Sequence, residues 1–159
     1  MKTASITVEF TSHVLANGSE RDSTADRFAH TSDGSLIFQQ SWWYASISNA
    51  LRGAGIRGLK PADIAMDLVV HAKTGLFERR FGEGGKHFRV HEAIFPGTRV
   101  VFNALVADHV TDSVLRTFFD RLGRFTGISP YGFALGFGRF VLLDVSVQPS
   151  DAQDTKQEA

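Results

Sequence analysis

Apolar and polar residues alternate near the start of the chain, where Ile6, Val8 and Phe10 fall on one face of a period-two segment. Successive strand side chains point to opposite faces, so the spacing predicts a strand over Ser5–Phe10. From His13 to Gly34 the pattern lapses into a polar stretch, long for a loop inside a compact domain and of the kind that tends to carry function. The period then becomes helical. Trp43, Ile47, Ala50 and Leu51 share a stripe, Ser41 offers an N-cap, and Gly53 and Gly55 end a helix near Arg52. Trp42, Trp43 and Tyr44 are consecutive, about 100° apart on that helix, and cannot all face one core. At least one ring is expected to meet a ligand, a partner or another part of the chain.

Pro61–Thr74 fits two readings. Pro61 suits a first helical turn and Ile64, Leu68 and Val69 make a stripe, so a short second helix is preferred, with a strand from Leu68 as the alternative. Phe77–Lys86 is glycine-rich and basic. Phe88, Val90 and Ile94 then suggest a strand, Pro96-Gly97 a turn and Arg99–Val106 a second strand, together a hairpin. Thr111 caps a helix with Val114, Leu115, Phe118, Phe119 and Leu122 on its apolar face, ended by Gly123, and a last strand covers Arg139–Val147. The expected order is βαββαβ: an α+β, ferredoxin-like (RRM-like) antiparallel sheet with helices on one face. A glycine-rich loop precedes its last strand and a basic insertion precedes its central hairpin. The open face of such a sheet is where many binders of single-stranded RNA hold their ligand.

Composition narrows the class. The 159 residues are 43% apolar and include fourteen phenylalanines, enough for one packed domain over residues 1–148, followed by a disordered acidic tail at 149–159. There are no cysteines, so disulfides and thiolate metal sites are excluded. No apolar run reaches the ~20 residues of a membrane helix, and the cytoplasm is the default address. Net charge is zero; without the last nine residues the chain has sixteen basic against fourteen acidic groups, so any nucleic-acid footprint must be a local stripe.

Two segments could form that stripe. Between Gly123 and Gly138 five glycines occur in sixteen residues, threaded with Phe125, Tyr131, Phe133, Phe137, Arg124 and Arg139. Backbone amides, ring faces and guanidinium groups suit a phosphodiester chain with stacked bases. The second segment, Lys73–Arg99, holds six basic residues against three glutamates. Arg79, Arg80, Lys86 and Arg89 could contact phosphates while Phe77 or Phe81 stacks on a base. His87 and His91 stand four apart with Glu92 adjoining, but in a strand and without a His-Glu-x-x-His sequence, so no metal or other cofactor is expected. Asp22, Asp26 and Asp33, in the polar stretch, read as turn aspartates.

Three features resemble the RAMP superfamily, the RNA-binding subunits and RNA-processing nucleases of CRISPR systems: the Gly-Phe-Gly-Arg-Phe end of the glycine segment, the run from Asp33-Gly34 to Asn49-Ala50-Leu51-Arg52, and Pro96-Gly97-Thr98 before a strand. The helix carries Ser41-Trp42-Trp43-Tyr44 where effector-backbone subunits have a Gly-Ser-Ser-Leu-Lys-Gly type of sequence, so no subfamily is assigned. The resemblance implies a non-catalytic, single-stranded RNA (crRNA-like) binding subunit of an antiviral ribonucleoprotein. Its contacts would be Arg52, Arg79, Arg80, Lys86, His87, Arg89, Gly127, Tyr131, Gly136, Phe137, Gly138 and Arg139, with the basic insertion as a thumb-like hairpin. Further copies of the chain or other subunits are candidate partners; a membrane is not. The resemblance also implies an alternative, a metal-independent endoribonuclease with His30, or secondarily His13, as general base. It further implies that an acid of the polar stretch could support divalent-metal cleavage. A third reading is an assembly subunit packed through its aromatic loops.

Overall fold

The computed structural model describes residues 1–18, 20–21, 25–128 and 130–149, so Asp22 and the expected tail lie outside the described residues, except for Pro149, which ends the last strand. Strands β1 (Lys2–Phe10), β2 (Val14–Leu15), β3 (Glu20–Arg21), β4 (Asp26–Arg27), β5 (Ala29–His30) and β6 (Leu36–Ile37) precede helix α1 (Gln40–Ala54). Next come β7 (Ile64–Met66), β8 (Val69–Val70), β9 (Gly75–Phe81), β10 (His87–Ile94) and β11 (Arg99–Val106). Helix α2 (Asp112–Arg121), a π-helical turn (Leu122–Thr126), the short α3 (Gly132–Leu135) and β12 (Phe140–Pro149) complete the chain.

The main sheet runs β12-β1-β11-β7, every pair antiparallel. Alternation along β1 and β11 turns Ala4, Ile6, Val8, Phe10 and Val100, Phe102, Ala104, Val106 into the core, where α1 and α2 cover them. Phe102 anchors this layer, its ring 4.9 Å from Trp43, 6.2 Å from Phe10 and 6.4 Å from Phe140. Truncating such a ring to alanine costs ~3–5 kcal/mol. Thr111 caps α2 as expected, its hydroxyl accepting from the Val114 amide at 3.2 Å. For α1 the cap position is Gln39, which supplies no side-chain cap bond, and Ser41 lies inside the helix.

Two further expectations fail. Pro61–Thr74 is not a helix: after one 3₁₀ turn (Pro61–Asp63) it gives β7 and β8. The strand at 87–94 does not pair with Arg99–Val106. β10 pairs with β9 instead, in a second sheet that also holds β2, β4 and β3, while β11 joins the main sheet. The glycine-rich basic segment Phe77–Lys86 is therefore most of β9 and the hairpin tip. Four short strands, β2 to β5, occupy the polar stretch, and β5-β6-β8 form a third small sheet.

Candidate nucleic-acid interface

Period-two alternation on both sides of the tip sorts the β9–β10 hairpin into two faces. The register places Phe81 opposite His87, Arg79 opposite Arg89 and Phe77 opposite His91 on one of them. Leu76, Glu78 and Arg80 share the other face with Glu92, Val90 and Phe88. The first face meets the glycine segment.

That segment folds back on itself. Ile128 donates its amide to the Gly138 carbonyl at 2.9 Å, and Gly138 donates to the His13 carbonyl at 2.7 Å. A Cβ on Gly138, at φ +69°, would stand 2.3 Å from the Ile128 oxygen, and one on Gly127, at φ +74°, 2.5 Å from the Phe137 oxygen. Glycine is required there because two backbone runs touch. The amides of Gly127, Gly136 and Phe137 are also taken, by the carbonyls of Leu122, Gly132 and Tyr131. The expectation that Gly127, Gly136 and Gly138 offer amides to phosphates is thus corrected: they shape a closed loop that holds Tyr131 and Phe137 against the hairpin.

The result is a continuous row of rings. Phe95 lies 4.7 Å from His13, His13 4.2 Å from Phe77, Phe77 5.9 Å from Phe137, and Phe137 6.5 Å from Tyr131. Arg79 follows, its guanidinium carbon 4.7 Å from the Tyr131 ring and 4.9 Å from the Phe81 ring, and Phe81 stands 5.7 Å from His87. All of these side chains are half-buried or exposed. Behind the row, Arg79 Nε donates to Nε2 of the fully buried His91 at 3.2 Å, and His91 Nδ1 donates to the Ala16 carbonyl at 2.7 Å. Burial pushes the His91 pKa down, consistent with a neutral ring accepting from Arg79. No hydrogen-bond acceptor among the described residues meets the terminal nitrogens of Arg79. A guanidinium oriented by one bond and clamped between two rings, its outer nitrogens unmet by the described residues, has the preorganisation that suits a phosphate.

Other expected contacts lie elsewhere. Arg89 binds Asp26 bidentately at 3.0 and 3.1 Å, so its charge is already answered, as is that of the Asp26 carboxylate. Arg80 is on the opposite face, over Phe88 and bonded to Glu78 and the Gly85 carbonyl. Lys86 is exposed at the tip. Arg139 turns inward to the Arg124 carbonyl at 3.1 Å, and Arg52 bonds Asn49 at the end of α1, with no contact to the row. Sequence reasoning missed Phe95, His91 and Asn17, whose Oδ1 accepts from the Tyr131 hydroxyl at 3.4 Å. The alternation of rings and cations on both sides of the glycine tip was the available signal for His91.

His30 is a tie between segments. Its Nε2 lies 3.0 Å from Glu92 Oε1 and its Nδ1 3.2 Å from the Gly34 carbonyl, and the Glu92 bond raises its pKa. Glu92, buried, also accepts from the Phe28 amide at 3.0 Å and the Thr74 hydroxyl at 2.7 Å. With both ring nitrogens facing acceptors, His30 has no lone pair turned to a substrate hydroxyl. His13 sits between Phe77 and Phe95 with its pKa lowered by burial. Asp33 accepts from the Thr31 hydroxyl and the Ser35 amide, bonds that hold its carboxyl at about 2. It is a turn aspartate, as read.

The open face of the main sheet is built differently. It shows Thr3, Ser5, Thr7, Val101, Asn103 and Leu105, and its cation Arg99 is paired with Glu9 at 3.0 Å. The outward positions of its described strands include no aromatic residue to stack a base.

No protein-family profile and no curated protein matches the sequence. Among solved structures, the fold is similar to that of a chain in the cryo-EM structure of the Type III-B Cmr-beta bound to cognate target RNA. The TM-score is 0.54 at 12% identity over 92% of this chain, which spans 60% of the length of that one. The likeness is one of fold: mixed α and β, with antiparallel sheets.

Proposed function

We propose that this protein binds single-stranded RNA along the row from Phe95 to His87, as a non-catalytic RAMP-type subunit of a CRISPR-associated ribonucleoprotein. The observation that carries the reading is Arg79 clamped between Tyr131 and Phe81, its outer nitrogens meeting no acceptor among the described residues, flanked on both sides by rings that can stack. The strand order supports the ferredoxin-like assignment: counting β1, β7, β11 and β12 as first to fourth, the sheet runs fourth-first-third-second, with a helix in each crossover. Residues 1–148 then form one such domain, with β9–β10 as the thumb-like hairpin inserted between its second and third strands. The fold likeness to a chain of an RNA-bound CRISPR complex points the same way.

Incubating the protein with labelled single-stranded RNA, in magnesium and in EDTA, tests this. Intact, shifted RNA in both is expected. EDTA-resistant cleavage lost on His30→Ala would instead establish the nuclease reading, and absence of any shift would leave the assembly reading.

A further inference from the structure

Away from the hairpin, α1 and the β7 edge part to leave a groove of about 780 Å³ floored by Trp43, Ile47, Ile64 and Met66, with Tyr44 and Lys60 at its margin. β7 is the end strand of the main sheet. Asp67 donates to the Asn103 carbonyl and Ala107 to the Asp63 carbonyl, so the alternation of an antiparallel ladder turns the N–H and C=O of Met66 away from β11. Of the three consecutive rings on α1, Trp42 and Trp43 are buried, whereas Tyr44 is 67% exposed beside this groove. The buried Trp43 indole N–H meets no acceptor, and the Lys60 ammonium meets no acid among the described residues.

We infer that the groove receives an extended segment of a partner protein, added as a fifth strand on the β7 edge. Its large aliphatic side chains enter the groove and an acidic residue answers Lys60. Strand addition uses open main-chain groups for affinity and side-chain pockets for specificity, and this edge supplies both. A small apolar ligand would leave Met66 unsatisfied, and an RNA strand would find a single cation. The chain's own end, 151–159, has acids but no large apolar residue to fill the groove.

The probe is the peptide Glu-Thr-Leu-Thr-Leu-Thr-Leu-Glu, titrated into the ¹⁵N-labelled full chain, with a second peptide carrying lysine for both glutamates. Saturable shifts centred on Met66, Tyr44 and Lys60 are expected, with the lysine peptide at least about fivefold weaker. Lys60→Glu, at an exposed position, should reverse that preference, and Met66→Pro, which removes an outward donor, should weaken both peptides about tenfold. The amide dispersion of ¹⁵N spectra recorded on both variants, in particular on Lys60→Glu, reports that they are folded. No saturable binding, or a preference untouched by Lys60→Glu, would overturn the proposal. So would a dimer in light scattering that Lys60→Glu dissociates, which would make a second copy the occupant.

Discussion

The open face of the β12-β1-β11-β7 sheet and the inner face of the β9–β10 hairpin are both antiparallel surfaces turned to solvent, yet their chemistry is opposite. The sheet face presents hydroxyls, an amide and the aliphatic Val101 and Leu105, with its one cation spent on Glu9. The hairpin face presents rings from Phe95 to His87 with the Arg79 guanidinium among them, its outer nitrogens unmet by any acceptor among the described residues. A sheet of this topology does not by itself make an RNA platform; the side chains that alternate onto a face do. Here the rings sit on the β9–β10 hairpin, completed by the glycine segment, and this is the face the proposed RNA binding would use.

The largest effect expected is the collapse of this difference when the glycine segment is dislodged. Gly138→Ala forces a Cβ within 2.3 Å of the Ile128 oxygen at a left-handed φ, a cost of about 2–4 kcal/mol, and the melting temperature should fall by about 5–15 °C. Gly136→Ala meets nothing within 4 Å and carries only the backbone term of ~1–2 kcal/mol, so it should melt higher than Gly138→Ala and keep RNA affinity. Equal melting of the two variants would mean that the loop does not close as described.

Next in size is the direct comparison of faces. Arg79→Ala removes a charge-assisted contact of ~1.5–3 kcal/mol and should weaken RNA binding about ten- to a hundredfold, and Tyr131→Ala by a similar factor through lost stacking. Val101→Ser with Leu105→Ser, on the sheet face, should change affinity by less than about twofold. Electrophoretic shifts across a salt series would check this: Arg79→Ala should reduce the salt slope by about one unit, and the sheet variant should leave it alone. A larger loss from the sheet variant reverses the assignment.

How far this contrast was legible in the sequence depends on what a period reports. Period two identified β1 and β11 and the inward residues Ile6, Val8 and Phe10, and the Thr111 cap followed from its side chain. A period gives the face a residue takes, not the strand it pairs with, so 87–94 was joined to its neighbour in sequence instead of to β9. β7, with three residues, is too short to have a period at all. At the proposed interface, residue type singled out Arg79, His87, Tyr131 and Phe137, and the fold places these four in one row. The direction of hydrogen bonds is not written in residue type: the loop amides, Arg89 and Arg139 are turned to partners inside the protein.

The smallest effect concerns the scaffold behind the hairpin. The His30 pKa is raised by Glu92, so its contribution to stability is complete below the unfolded value of about 6.5 and is lost as pH rises through the higher folded value. His91 and His13 have lowered values and work oppositely, withdrawing stability as pH falls from about 6.5 through their folded values. Urea midpoints measured from pH 5 to 8 should therefore decline less on the alkaline side in His30→Ala than in the parent chain. An unchanged alkaline limb would show that the His30–Glu92 tie does not form in solution.

Photo-crosslinking of the full chain to a uridine-rich single strand, with the attachment residues read by mass spectrometry, separates the two faces in one measurement. The account predicts adducts on Tyr131, Phe81 and their neighbours in the row, and none on the outward residues of β1 and β11. Adducts concentrated on Val101, Asn103 or Leu105, with the hairpin unmarked, would contradict it.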